Sequence, residues 1–284
     1  LRSFRPDVVF STGGFVSVPT VAAAARIAPI LTHEQTAVIG LANRINNHFS
    51  DVLALSYEDC ASLVGGKKLR VEVTGNPVRA NLAGGNAARG RELFGFTPDL
   101  PLIYVTGGAK GASPLNTRIE SLLPDLLAGC QILHQTGAST INGDAPRLSA
   151  LRATWPEELQ RRYQIVEFIG DEMADVYAAA TLVIGRAGAG TVAELSFVGL
   201  PSILVPLPGT GGDEQVRNAN ILKKAGAAVV LDQSVATPER LRQEITSLLG
   251  DSTRLASMAQ AATDAAHPTA AATLTDILLE LAAH

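Results

Sequence analysis

One pattern recurs along this 284-residue chain: a short apolar run, a turn rich in glycine, then a segment of helix length. Repeated units of this kind are the sequence form of a parallel α/β sheet, because the crossover helices cover strands that are buried on both faces. The first series reads as a strand at 7–10, a glycine turn at 11–15, a helix at 18–27, and strands starting at 30 and covering 52–55 and 69–73. The second opens with strand 102–106, loop 107–111, helix 115–127, strand 131–134, a helix-like stretch 145–162 and strand 164–167. It continues through helix 173–180, strand 182–184, helix 191–198, strand 202–205, helix 214–225 and strand 229–231, and closes with helices at 238–249 and 268–282. Residues 80–99 between the two series are mixed and rich in breakers. Two domains are therefore expected, with residues 1–79 in the first, 80–100 as linker and entry, and 101–284 in the second, whose final helix is expected to pack back on the first. A cleft between them is the natural place for a ligand.

Composition removes several classes of function. With 46% apolar and 18% charged residues and a net charge of -4, neither disorder nor a broad nucleic-acid-binding surface is expected. Cys60 and Cys130 have neither metal-ligand spacing nor a disulfide-framework pattern, so a reducing compartment is the simplest reading. No apolar run reaches membrane-spanning length, since 18–31 is interrupted by Arg26 and two prolines; contact with a membrane surface stays open. The sequence begins without methionine or a signal-peptide pattern, and the natural protein is expected to start earlier.

The segment Arg186-Ala187-Gly188-Ala189-Gly190-Thr191-Val192-Ala193-Glu194 follows an apolar strand and opens a helix, whose free amides can meet phosphate. Glu194 lies three residues beyond Thr191, so the pair can be a capping box or Glu194 can accept bonds from sugar hydroxyls. In Gly107-Gly108-Ala109-Lys110-Gly111 the backbone can approach a diphosphate while Lys110 adds charge, although a plain tight turn explains it too. It lacks the lysine-hydroxyl pair of a triphosphate loop and the spacing of a dinucleotide fingerprint. Glu214, Gln215 and Asn218 open another helix after a glycine turn, where acidic residues can also merely complement the helix dipole. His33-Glu34-Gln35-Thr36 is expected in a loop that brings imidazole and carboxylate to the cleft, or in a local hydrogen-bonding arrangement; His134 is expected to be structural. Arg79, in Gly75-Asn76-Pro77-Val78-Arg79, can reach a diphosphate from the domain boundary or stand as an exposed linker residue. No metal cluster, nucleophilic triad or redox motif stands out.

Taken in order, His33-Glu34-Gln35, Gly75-Asn76-Pro77-Val78-Arg79, Gly107 to Ala112, His134-Gln135-Thr136-Gly137, Phe168-Ile169, Arg186 to Ala189, Thr191 to Glu194 and Gln215 to Ala219 closely resemble the MurG family of peptidoglycan glycosyltransferases, in glycosyltransferase family 28. The resemblance covers essentially the whole chain. It implies a GT-B fold, two Rossmann-like domains facing across a cleft, with the N-terminal one truncated here: the family's first glycine loop, with its histidine, and much of its acceptor region precede the position matching Leu1. It also implies inverting, metal-independent transfer of N-acetylglucosamine from UDP-N-acetylglucosamine to undecaprenyl-pyrophosphoryl-muramoyl-pentapeptide (lipid I), at the cytoplasmic face of the bacterial membrane, without a cofactor and with peripheral attachment.

Carried over position by position, the resemblance puts Asn76, Arg79, Ala109, Lys110 and Ile169 in the donor region, Ile169 beside uracil. Ala189, Gly190 and Thr191 wrap the diphosphate and sugar, and Glu194 binds the ribose. Also on the donor side, Glu214 and Gln215 fall on the family's paired glutamines near N-acetylglucosamine, and Asn218 on the asparagine beyond them. Phe15, Ser17, His33, Glu34 and Gln35 fall on the acceptor side, and no residue is assigned as catalytic base. Four departures bear on donor affinity and sugar choice: Ala109 and Lys110 replace serine and glutamine, Gly190 replaces leucine, and Glu214 replaces glutamine; Thr36 also replaces an asparagine. A related GT-B enzyme with another UDP-sugar or acceptor, and a binding-only fragment, are the other readings.

Overall fold

A computed structural model describes residues 3–64 and 69–283; Leu1, Arg2, residues 65–68 and His284 lie outside the described residues. Two sheets are formed, and every strand pairing in them is parallel. The first holds β1 (Val9–Ser11), β2 (Ile30–Glu34), β3 (Val52–Leu55) and β4 (Arg70–Val73), side by side in chain order. The second is built from β5 (Leu102–Thr106), β6 (Gln131–Gln135), β7 (Tyr163–Val166), β8 (Leu182–Gly185), β9 (Ser202–Leu204) and β10 (Ala228–Val230). Its order is β10-β9-β8-β5-β6-β7, so the chain reverses direction of travel between β5 and β8. Ligands of open α/β sheets bind outside the carboxyl ends of the strands at such a switch point. Strands β2, β3, β5, β6, β8 and β9 are buried at every residue, and β3, β5 and β8 accordingly read as near-continuous apolar runs.

Where the sequence suggested one long helix, proline divides it. The expected helix at 115–127 is two, Ser113–Glu120 and Leu123–Leu126, with Pro124 in the first turn of the second. The expected stretch 145–162 is likewise two, Asp144–Arg152 and Glu157–Arg162, with Pro156 immediately before the second; a prolyl ring cannot continue the preceding helix. Helices Leu41–Asn46, Ala87–Leu93 and Ser252–Asp264 had no counterpart in the reading of periodicity. In the breaker-rich 80–99 stretch, Gly85 and Gly90 lie where another backbone approaches closely. A Cβ on Gly90 would sit 2.2 Å from the Asp175 carbonyl oxygen, so the helix Ala87–Leu93 lies flush on Met173–Ala179.

The two sheets share a core. One buried cluster runs from Leu53, Leu55 and Tyr57 of the first part to Tyr177, Leu195 and Leu204 of the second. The last helix, Ala270–Ala282, lays Leu274 and Ile277 on Leu31, Val52 and Ala54 of the first sheet, and Glu280 pairs with Arg70 of β4 at 2.6 Å.

Candidate functional site

The carboxyl ends of β5, β8, β9 and β10 converge on an open pocket of about 820 Å³, lined by residues that include Gly107, Lys110, Asn142, Arg186, Gln215 and Gln233. Its first wall is the loop after β5. Gly108 and Gly111 have φ of 79° and 74°, and the Gly108 amide is held by Thr106 Oγ1 at 3.0 Å. This loop touches the loop after β6 backbone to backbone: a Cβ on Gly137 would lie 2.2 Å from the Gly111 amide nitrogen. Glycine is therefore required by close approach as well as by the left-handed backbone. Ala109 and Lys110 stand exposed at the tip of this wall.

The floor is Arg186, which is buried. It donates to the Val205 carbonyl at 2.8 Å and to Gln233 Oε1 at 2.6 Å, stitching the ends of β8 and β9 to the segment after β10. Burial, and then the neighbouring Arg118 charge, lower its pKa. Gln215, in the first turn of the helix Glu214–Ala225, accepts from the Leu207 amide at 2.9 Å through Oε1. Its backbone amide donates to Thr210 Oγ1 at 3.3 Å, so the turn before the helix is pinned at both ends.

The helix Ala189–Val198 begins beside this floor. Gly188 is its N-cap and no side chain caps it, while the Val192 amide closes back on the Gly188 carbonyl. The amides of Ala189, Gly190 and Thr191 precede that first closed turn and point out of the helix end, where an anion is favoured. Thr191 sits inside the helix, which excludes the capping-box reading. Glu194 instead accepts from the Tyr177 hydroxyl at 2.8 Å and pairs with Arg79 at 3.8 Å. Nothing lies within 4 Å of a Cβ built on Gly190, so the missing side chain leaves open space rather than relieving a clash.

Other expected residues are placed differently. His33 and Glu34 are the last two residues of β2, paired with Ala54 and Leu55, and are not in the loop that follows. The ladder carries both indoors. Fully buried His33 bonds the Gly75 carbonyl through Nε2 at 3.0 Å; burial, opposed by that bond and the Glu34 charge, lowers its pKa. Glu34 accepts from the Thr36 and Gly40 amides and from Asn43, shaping the loop rather than facing an open cleft. Gln35 is half-buried beside them. Asn218 is fully buried with both ends of its amide engaged, Oδ1 by the Ala37 amide at 2.8 Å and Nδ2 by the Ala187 carbonyl at 3.2 Å. It joins the two parts of the chain where a donor-side residue was expected. Ile169 is core, with 4% of its surface exposed, and Asn76 borders a minor gap with Tyr57, Phe197 and His267. Glu214 is partly buried, and burial together with the Glu34 charge raises its pKa.

Phe15 stands 76% exposed just before the helix Ser17–Ala24. Ser17 donates to the Gly14 carbonyl at 2.7 Å and accepts from Asn46 at 2.9 Å. Burial pushes the Cys60 and Cys130 thiols up to about 11 and about 12, so neither supplies a thiolate near neutrality. Among the described residues no group of three or more His, Cys, Asp or Glu could hold a metal ion, and no helix is long and apolar enough to cross a membrane. Motif reading missed Tyr104, Tyr177 and Gln233, because each joins the site through a partner on another element of the fold.

The signature of the glycosyltransferase family 28 C-terminal domain matches residues 102–274, and that of the family's N-terminal domain matches residues 1–54. A UDP-N-acetylglucosamine–N-acetylmuramyl-(pentapeptide) pyrophosphoryl-undecaprenol N-acetylglucosamine transferase of Listeria monocytogenes is 35% identical over 283 residues, 99% of this chain and 76% of that protein. Its counterpart in a Nocardioides species is 39% identical over 288 residues, 99% of this chain and 74% of that protein. The crystal structure of Acinetobacter baumannii MurG superposes with a TM-score of 0.75 at 31% identity, covering 98% of this chain and 76% of that one.

Proposed function

The chain belongs to glycosyltransferase family 28, and from that premise we propose that it transfers N-acetylglucosamine from UDP-N-acetylglucosamine to undecaprenyl-pyrophosphoryl-N-acetylmuramoyl-pentapeptide, the lipid I to lipid II step of peptidoglycan synthesis. The observation that carries this reading is identity of 35–39% with transferases of that description over 99% of the chain. The fold is GT-B.

In this reading the donor lies on the second sheet. Its diphosphate meets the amides of Ala189, Gly190 and Thr191 and the charge of Lys110, Gln215 faces the sugar, and Glu194 receives the ribose hydroxyls with Arg79 beside it. The side chain of Ile169 is in the core, so its contact with uracil runs through backbone. The acceptor hydroxyl attacks the anomeric carbon, giving up its proton to a general base as the new C–O bond forms and the bond to the β-phosphate oxygen breaks; the electron pair of that bond leaves with UDP and the configuration inverts. The helix-end amides stabilise the charge that grows on the departing diphosphate. Buried Arg186 adds a fixed positive charge beneath it.

The acceptor is read on the side of the first sheet, and peripheral docking on the cytoplasmic face of the membrane brings the lipid there. Support for docking comes from apolar side chains left in solvent where two neighbouring helices begin: Phe15 and Val16, 76% and 86% exposed, just before the helix Ser17–Ala24, and Leu41, 61% exposed, the first residue of Leu41–Asn46. The deciding experiment measures UDP release by the full chain with UDP-N-acetylglucosamine, UDP-glucose or UDP-galactose and a soluble lipid I analogue. Release that needs both the acceptor and the acetylated donor is expected. Turnover with an unacetylated donor alone would overturn the assignment.

A further inference from the structure

We infer that Tyr177 is a positioning residue for the donor, holding the Glu194 carboxylate in the orientation that receives ribose hydroxyls; the inference rests on the reading of Glu194 given above. The Tyr177 side chain is 4% exposed, and its hydroxyl donates to Glu194 Oε2 at 2.8 Å. The other carboxylate oxygen, Oε1, is the one nearest Arg79 Nη2, at 3.8 Å. The two oxygens have separate duties: one is tethered to a buried phenol, and the other is turned toward a half-exposed guanidinium at the open side. A free glutamate would lose several side-chain torsions on meeting a ligand. Here that ordering is completed when the protein folds.

The phenol is itself held in place. Its ring stands edge-on to Tyr104, with centroids 5.9 Å apart and an interplanar angle of 76°. The Tyr104 hydroxyl donates to Gln135 Oε1 at 2.8 Å, and Gln135 Nε2 donates to the Gly108 carbonyl at 3.4 Å. The paired tyrosines thus tie Glu194 and the loop after β5 to one piece of core. Packing alone would be served equally by phenylalanine at 177. What the hydroxyl adds is the bond to Glu194, and burial, reinforced by the Glu194 charge, keeps the phenol protonated to make it.

Y177F removes that donor and keeps the ring. Titration calorimetry on the full chain, below the melting transition of each variant, would compare UDP with dideoxy-UDP, which lacks both ribose hydroxyls, in the parent, Y177F, E194Q and Y177F/E194Q proteins. Y177F is expected to weaken UDP binding on the order of tenfold, to raise KM for the donor while leaving kcat within about twofold, and to cost little for dideoxy-UDP or in the E194Q background. Equal losses in both backgrounds, equal losses for both nucleotides, or a lowered Tm with unchanged UDP affinity would each overturn the role of Tyr177 and leave Glu194 as ribose ligand. Full UDP affinity in E194Q would remove the ribose reading itself, and Tyr177 with it.

Discussion

At His134 the hydrogen bonds settle both charge and tautomer. Asn116 Nδ2 donates to the Thr136 carbonyl at 3.0 Å and to Asp144 Oδ2 at 2.8 Å, so its Oδ1 must accept. His134 Nε2, 3.1 Å away, therefore carries the proton, and the Tyr163 hydroxyl donates to the bare Nδ1 at 2.9 Å. Burial pushes the pKa of this imidazole down to about 3, from an ordinary value of 6.5. Between those two pH values the unfolded chain binds a proton that the folded chain refuses, so stability falls as the pH drops through that window, by up to about 1.4 kcal/mol per pH unit. Denaturant unfolding at pH 7, 6, 5 and 4 should show a flatter acid limb in H134Q, whatever that variant's stability at pH 7; an unchanged slope would assign the limb to other groups. Lys110 offers a test of the opposite kind, because it is exposed. K110Q should weaken UDP binding roughly threefold at low ionic strength, with the difference shrinking as salt screens the charge. Equal affinity at low and moderate salt would place the ammonium away from the diphosphate. The motif residues Glu194 and Gln215 could be picked out from their spacing after glycine turns. Tyr177 could not, because its hydroxyl belongs to a helix whose apolar pattern accounts for the ring without any polar partner.

Two glycines of the site loops show how elements divide the work. Gly137 has φ of 82° and its absent Cβ would meet the Gly111 amide at 2.2 Å, so G137A must push the two loops apart. A loss of about 2 kcal/mol in stability is expected, with weaker UDP binding measured on the same sample. Gly190, in the first turn of Ala189–Val198, faces open space, and G190A should gain a few tenths of a kcal/mol by lowering the entropy of the unfolded chain. Thermal melts of both variants check the contrast, and equal shifts would mean that close approach is not what holds the loops together. The sequence marked the segment holding Gly190 as a glycine-rich turn, and Gly137 only as the end of a family motif. Which glycine is held by a neighbouring backbone depends on β5 and β6 being adjacent, and that is a property of the sheet. The same holds for the 80–99 stretch, where Gly90 marks a helix pressed against another rather than a break.

For the whole molecule, the final helix determines whether the first sheet stands alone. Leu274 and Ile277 are 4% and 6% exposed against Leu31, Val52 and Ala54, although they lie more than two hundred residues further along the chain. L274A and I277A should each cost about 2–4 kcal/mol in chemical denaturation, with the first sheet and the second unfolding together. A cost below about 1 kcal/mol would mean that the helix is an attachment and not part of the core.

The order of strands, turns and helices was legible because apolar runs and glycine turns are local signals, and the family resemblance rested on the spacing of short motifs. Several things were decided only in three dimensions. The strand ladder turned His33 and Glu34 inward, where hydrogen bonding to Gly75 and to the loop replaced exposure to a cleft. Asn218 was drawn into a bridge between Ala37 and Ala187, because a buried amide must satisfy both of its ends. Local sequence sets the backbone through sterics and periodicity. Which polar groups remain free to meet a ligand is set by what packing brings within reach of them.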